Sequence, residues 1–217
     1  QLFDAALAEF NAKQKRKDRC IENYYEKILD GKVTVGAKQT VVKNPETAIA
    51  NGIAYTSKDR DHESLGLAGS IRDNIASTGY YFNRIFGPII SFGKEKKFVQ
   101  NQIDTLELKC ASQYHSVNTL SGGNKQKVVF GKWIGSEADV LILDCPTRGI
   151  DIGVKASMYQ LIYKMKKQGK SIILISEELP ELIGMSDRIL IMKDGKIVHE
   201  AMRSENPTEH DLINYMI

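Results

Sequence analysis

The run Val140-Leu141-Ile142-Leu143-Asp144 constrains this chain more than any other stretch. Consecutive apolar residues of strand length read as a buried strand, and this one delivers a carboxylate, Asp144, at its C-terminal end. A carboxylate so placed can hold Mg²⁺ directly or through water. Upstream stands Leu120-Ser121-Gly122-Gly123-Asn124-Lys125-Gln126-Lys127. Ser121 is a good helix N-cap, and the glycines leave the backbone bare where a helix begins. Unpaired N–H groups and the positive end of the helix dipole then suit a phosphate. Glycines at a helix start are also plain turn chemistry. It is the order of the two pieces that makes the pattern informative.

The flanking sequence supplies alternating strands and helices. Gln1 to Asp30 reads as helix, with Phe3, Leu7 and Phe10 at helical spacing and Gly31 as its stop. Val33 and Val35, then Val41 and Val42, read as two short strands around Gly36-Ala37. Asn44-Pro45 is a cap followed by proline at the first helical position, and Gly52 ends that helix. Ile53-Ala54-Tyr55 is a short strand. A helix starts at Ser70-Ile71, an aromatic stretch with Tyr80, Tyr81, Phe82 and Phe86 follows, and a second helix spans Lys94 to Leu106. Val129, Phe130, Trp133 and Ile134 form one apolar face after the glycines, with Trp133 expected in the core. Val154, Met158, Leu161, Ile162 and Met165 mark an amphipathic helix that Gly169 terminates. Ser171 to Ile175 reads as a buried strand. Arg188 to Met192 and Lys196 to His199 form a hairpin around Asp194-Gly195. Asn206-Pro207 is expected to cap a final helix carrying Leu212, Ile213, Met216 and Ile217. The order implies an α/β sandwich with a mainly parallel central sheet.

Composition excludes several classes. A formal charge of +3 is too small to argue for nucleic acid, and the run Lys13 to Arg19 reads as a solvated face. The three cysteines, Cys20, Cys110 and Cys145, are scattered and show no metal or disulfide spacing, which suits a reducing compartment. No apolar run reaches membrane-spanning length, so a membrane role is expected only through a partner. The chain opens on Gln1 and is expected to be a piece of a longer product.

Leu-Ser-Gly-Gly-Asn-Lys-Gln-Lys resembles the signature motif of the ABC-transporter ATPases. Leu141 to Asp151 is similar to their Walker B strand running into the D-loop. The wording Thr147-Arg148-Gly149-Ile150-Asp151-Ile152-Gly153, with Asn124 after the glycines, resembles the second nucleotide-binding domain of ribose/galactose-type sugar importers. The resemblance covers roughly Gly31 to Ile217. It implies a P-loop-NTPase-like fold, with residues 31–217 as the nucleotide-binding domain and residues 61–120, approximately, inserted as a helical subdomain. Residues 1–30 would be a helical segment where the family keeps its P-loop. It also implies ATP and Mg²⁺ shared with a second nucleotide-binding domain, a transmembrane permease subunit as partner, and a cytoplasmic place at the inner face of the membrane. The permease would dock on the helical subdomain, where an exposed aromatic patch would suit it.

The same resemblance exposes departures. A phosphate cradle is spelled G-x-x-x-x-G-K-[ST]. The chain lacks it, and Asn11 to Lys17, where it should fall, contains no glycine. Gly31 to Thr40 is a near-miss that lies too far along. Lys58 in Tyr55-Thr56-Ser57-Lys58-Asp59-Arg60 stands where the family's Q-loop has Gln or Glu, and is expected to be a solvated lysine. Cys145 stands at the position of the water-activating glutamate, and a neutral thiol is a poor general base. Glu177 stands at the switch-histidine position. These changes imply that the chain's own ATP site is lost, including the magnesium role of Asp144. In the family, two domains pair head to tail, and each ATP lies between one P-loop and the other domain's signature. Leu120, Ser121, Gly122, Gly123, Asn124 and Gln126 would therefore meet a nucleotide held in trans, and Asp151 of the D-loop would face the partner's catalytic water. The alternative is a non-hydrolytic structural or regulatory module of the same fold.

Overall fold

The computed structural model describes residues 33–35, 38–81, 91–136 and 138–217. The expected helix over Gln1 to Asp30, the region of Asn11 to Lys17, the turn at Gly36-Ala37, and Phe82 and Phe86 lie outside them. The described residues fall into two compact units, one spanning Thr34–Ile173 and the other containing Leu174–Ile217.

In the first unit, β1 (Val33–Val35) leads into β2 (Lys38–Thr40), to which it is hydrogen-bonded. The second strand thus precedes Val41-Val42, where the apolar pair had suggested it, and Val41 is exposed. Helix α1 (Pro45–Ala50) begins as the sequence predicts. Asn44 accepts a hydrogen bond from the Thr47 N–H, Thr47 reciprocates, and proline occupies the first turn. Gly52 then takes φ +72°, a left-handed conformation that glycine adopts without steric cost.

Strands β3 (Ile53–Thr56) and β4 (Val140–Asp144) run parallel, with Ile53 opposite Val140 and Thr56 opposite Leu143. Every residue of β4 is buried, as expected of a strand covered on both faces. β5 (Ser171–Ile175) follows β4 in the sheet order. It is half-buried, contrary to the expectation from its apolar sequence, and it lies at the end of the described sheet, with no described strand on its far side.

Between β3 and the next element of the sheet lie α2 (Ile71–Tyr81) and α3 (Phe92–Thr105), followed by α4 (Gly122–Ile134). Their shared core contains Ile71, Ile75, Val99, Ile103, Val128 and Val129, with Tyr80 and Phe98 packed against it. Gly131 lets α4 come close, since a Cβ there would sit 3.1 Å from Leu106 Cδ1. Trp133 and Ile134 are only half-buried; the buried face of α4 is carried by Val128, Val129 and Phe130. Helix α5 (Ile152–Lys167) buries Met158, Leu161, Ile162 and Met165, and Gly169 at φ +86° ends it.

The second unit contains α6 (Leu179–Met185), the antiparallel hairpin of β6 (Arg188–Lys193) and β7 (Lys196–Met202), and α7 (Glu209–Met216). Asp194 and Gly195 both take positive φ, at 50° and 75°, the two-residue turn whose twist suits a hairpin. The unit's core is Ile189, Ile191, Ala201 and Leu212, packed against Leu179, Leu182 and Ile183. One expectation fails here. Thr208, not Asn206, caps α7, because Asn206 is in the left-handed region at φ 51° and Thr208 forms a capping box with Asp211. Of the apolar residues on α7 only Leu212 is buried, while Ile213, Met216 and Ile217 are exposed.

Candidate functional site at the start of α4

Helix α4 opens as a helix with bare donors. Ser121 is extended at φ −62°, ψ 158°, and its side chain makes no cap hydrogen bond to the backbone. Its Oγ instead accepts from Asn124 Nδ2 at 3.0 Å, and Asn124 Oδ1 accepts from the Lys109 N–H at 3.1 Å. Asn124 thus braces the loop that enters the helix. The first intrahelical bond of this turn runs from the Lys125 N–H to the Ser121 carbonyl at 2.9 Å. The N–H groups before it have no intrahelical partner, as at any helix start. Ser121 is exposed, Leu120, Gly122 and Asn124 are half-buried, and Gly123 and Gln126 are buried.

The two glycines differ in what they permit. At Gly122 a Cβ would meet Arg60 Nη2 at 3.5 Å and the Gly149 carbonyl at 3.6 Å, ordinary contacts. At Gly123 it would lie 2.8 and 2.9 Å from the two γ-methyls of Val154. Gly123 is therefore a close-packing position between α4 and α5 as well as a bare one.

Asp151 caps α5, its Oδ1 accepting from the Val154 N–H at 3.0 Å. The segment before it turns sharply. The Arg148 N–H reaches the Cys145 carbonyl at 3.1 Å, Gly149 takes φ +69°, and Cys145 itself takes φ +46°. A left-handed conformation at a non-glycine residue is uncommon and mildly strained. The thiol of Cys145 is half-buried beside Asp144 in sequence.

Asp144 is 8% exposed, and its Oδ2 accepts from the Tyr55 hydroxyl at 3.0 Å. Tyr55 lies opposite Ile142, two residues before Asp144, so strand alternation puts both side chains on one face. Magnesium demands several oxygen ligands. Among the described residues no group of three or more His, Cys, Asp or Glu side chains could hold a metal ion. Asp144 has one oxygen engaged by Tyr55, and magnesium held by one or two carboxylates takes its remaining ligands from water and substrate phosphates.

The loop after β3 was informative for another reason than Lys58. That lysine is half-buried and has an interaction partner. The next residues form a π-helical turn, Arg60–Ser64, capped by Asp59, which accepts from the His62 N–H at 3.1 Å. Arg60 Nη1 donates to the Gly122 carbonyl at 2.9 Å, and Lys125 Nζ bonds Asp61 Oδ2 at 3.3 Å. Partial burial works to raise the Asp61 carboxyl, but the hydrogen bonds and charges of Arg60 and Lys125 hold it below its ordinary value. The sequence placed Tyr55 and Arg60 in the Q-loop-like segment and Lys125 in the signature-like run without giving them a role at the site, and Asp61 was not singled out. Tyr55 was findable by alternation; the others meet only in three dimensions. Glu177 is exposed in the loop between β5 and α6. The signature-like turn, Asp144, Cys145, Asp151 and Lys58 all belong to the first unit.

Core packing is the expected fate of most rings in the Tyr80 to Phe86 stretch, and the described Tyr80 follows it. Tyr80 is packed against the core, and burial with hydrogen bonding to Glu95 pushes its hydroxyl up to about 12. Phe92 and Tyr114 are 72% and 56% exposed, with the Arg72 guanidinium 5.8 and 5.7 Å from their ring centres. Arg72 is held by the fully buried Glu95 at 2.5 Å.

No family model matches the chain. It is 41% identical over 192 residues to the ribose import ATP-binding protein RbsA of Halalkalibacterium halodurans, covering 88% of this chain and 38% of that protein. It is 40% identical over 186 residues to RbsA of Bacillus subtilis, covering 85% and 37%. Against the galactose/methyl galactoside import ATP-binding protein MglA of Clostridium tetani it is 38% identical over 191 residues, covering 87% and 37%. The chain thus spans less than half the length of these relatives. Among solved structures, the dimeric post-hydrolysis state of the ATP-binding cassette MJ0796 bound to ADP and Pi superposes with a TM-score of 0.68 at 19% identity, covering 81% of this chain and 74% of that one. An inward-facing metal-chelate type ABC transporter gives 0.62 at 17%, covering 76% and 64%. At those identities the likeness establishes the fold.

Proposed function

We propose that this chain, a homologue of the ribose and galactose import ATP-binding proteins with the fold of the ABC ATPase cassettes, is the signature-donating half of an asymmetric ATPase pair in a sugar importer. Its relatives are named for ATP binding and import. The observation that carries the reading is the start of α4. Its N–H groups lack intrahelical partners and its capping serine is turned aside by Asn124, whereas the chain holds no glycine-rich cradle for phosphates of its own. A helix start of this kind stabilises negative charge that another domain presents.

The division of labour follows from that contrast. The partner's P-loop seats ATP, and Ser121, Gly122, Gly123 and Asn124 close over its γ-phosphate with backbone donors and the helix dipole. Asp151, fixed by its cap, orients the segment facing the partner's attacking water. Cys145 and Glu177 replace the groups that would work a second site, and Asp144 is left as a buried partner of Tyr55. Residues 61–120, approximately, act as the helical subdomain. Its exposed Phe92 and Tyr114 around Arg72 offer the apolar surface on which a permease subunit docks, holding the chain at the cytoplasmic face of the membrane. Among the described residues no helix is long and apolar enough to cross one.

Steady-state hydrolysis in a complex with a P-loop-bearing partner domain is the test. Gly122→Asp adds a carboxylate at the bare start of α4, where a Cβ makes only ordinary contacts with Arg60 and the Gly149 carbonyl, and its negative charge opposes an incoming γ-phosphate at a cost of roughly 10²–10³ in rate. Asp144→Asn should change the rate little. Equal, severe loss in both would show a working site at Asp144 and end the asymmetric reading.

A further inference from the structure

We propose that Arg60 is a positioning residue for the start of α4: it ties the loop after β3 to the turn that meets the partner's nucleotide and keeps that turn aimed. The assignment rests on the signature-donating reading above and adds to it a residue outside the signature.

Its geometry is specific. Arg60 Nη1 donates to the Gly122 carbonyl at 2.9 Å, and its Nε bonds Asp61 Oδ1 at 3.1 Å. The second oxygen of Asp61 accepts from Lys125 Nζ at 3.3 Å, and Lys125 also reaches the Asn118 side chain at 3.3 Å. Two turns further along α4, Lys132 Nζ donates to the Ser64 carbonyl at 2.6 Å. Three cationic side chains therefore cross between residues 60–64 and one helix. The guanidinium is confined, with 19% of its side chain exposed, and it lies within ordinary contact distance of the place a Cβ at Gly122 would take.

Helix stability does not explain this placement. A cation at a helix N-terminus opposes the macrodipole, so the isolated helix would be better served by an acid there. The arrangement makes sense when the turn must receive an anion, because the guanidinium then adds to the positive potential of the bare N–H groups. Asp61 sits beside Arg60 and Lys125 and holds both in place without occupying the turn itself. The loop is a π-helical turn, closed by the Leu65 N–H on the Arg60 carbonyl at 3.0 Å. Such turns are rare and recur at functional sites. The wide turn sets Arg60 and Ser64 to face α4 at once, so a shift of this loop moves the start of α4 directly.

Two measurements test the role. In the complex with a P-loop-bearing partner, Arg60→Met should lower turnover about tenfold, the scale of a lost charge-assisted hydrogen bond, with KM for ATP unchanged because the partner seats the nucleotide. Arg60→Lys, which can still donate to the Gly122 carbonyl, should recover to within about threefold of the parent. In the full chain alone, amide hydrogen exchange at Lys125 and Gln126 should speed up by about tenfold in Arg60→Met and be largely restored in Arg60→Lys. Parent-like turnover and exchange in Arg60→Met overturn the proposal. So does equal loss in both variants accompanied by a lowered thermal midpoint, which would mark a purely structural residue. Gly122→Asp separates this from failure of the parent reading. If it abolishes hydrolysis while Arg60→Met does not, the role of Arg60 falls alone; if it too is silent, the signature-donating reading falls with it.

Discussion

Gly123→Ala should destabilise the chain, and Val154→Ala should recover most of the loss. A Cβ at residue 123 would stand 2.8 Å from Val154 Cγ2, 2.9 Å from Cγ1 and 3.3 Å from Cβ. Carbon atoms prefer about 3.5–4.0 Å, so the overlap involves the whole branched end of the side chain. Valine in a helix has one strongly preferred rotamer and cannot swing aside cheaply. Either Val154 leaves that rotamer or α4 and α5 move apart. Adding a methyl to a filled contact costs about 1–3 kcal/mol. Alanine regains up to about 1 kcal/mol over glycine inside a helix, but less in the first turn, where fewer backbone bonds depend on it. The net expectation is a loss of about 1–2 kcal/mol, read as about 2–8 °C in thermal midpoint for a chain of this size. Val154→Ala alone removes two methyls from a half-buried contact and should cost about 1 kcal/mol. Combined, the new Cβ occupies space the valine vacated, so the double variant should be less destabilised than the sum by about 1 kcal/mol or more. Gly122→Ala is the control, expected within about 0.5 kcal/mol of the parent. Urea unfolding followed by far-UV dichroism and by the fluorescence of Trp133, the one tryptophan in the chain, provides the numbers. A Gly123→Ala variant as stable as its parent, or strictly additive single changes, would refute the close-packing account.

Cys145→Glu alone should not create phosphate release in the isolated chain, since a restored base does not seat the nucleotide; steady release in a phosphate assay would show that a cradle exists after all. Burial holds the Lys132 ammonium below its ordinary value of 10.5. Between the lowered folded value and 10.5 the unfolded chain binds the proton more tightly, so stability should rise with pH there, and Lys132→Met should abolish that rise in a denaturation series. Thr208→Ala should cost about 1 kcal/mol by removing the cap of α7, measured by urea unfolding; no change would mean the helix is held by Leu212 alone. Asp211 is held below its ordinary value by the hydrogen bonds from Thr208, so the capping contribution should be complete above pH 3.8 and lost as pH falls through the depressed value.

Much of the local structure was legible in the residues. Asn44-Pro45 starts α1, Asp194-Gly195 turns the hairpin, and Gly169 ends α5, because caps and turns are settled by groups within a few residues of each other. The buried run of β4 and the bare start of α4 were equally plain, since apolar continuity and paired glycines need no partner to be read. Where local signals misled, a neighbouring signal or the surroundings had the stronger claim. Asn206-Pro207 looked like a cap, yet the Thr208–Asp211 pair two residues on closes a full capping box. The apolar sequence of β5 did not reveal that it lies at the end of the described sheet.

The sequence by itself determined the α/β class, the two pieces of the candidate site, and the absence of a phosphate cradle from these 217 residues. Only the tertiary structure decided that Gly123 is packed against Val154, that Tyr55 occupies an oxygen of Asp144, and that Arg60 grips the carbonyl of Gly122. The physical reason is range. A helix start or a hairpin turn is closed by hydrogen bonds spanning three or four residues, so its chemistry is written in one window. Arg60 and Gly122 are 62 residues apart, and Tyr55 and Asp144 are 89 apart. Such pairs are chosen by strand register and helix packing, and by nothing that either residue carries alone.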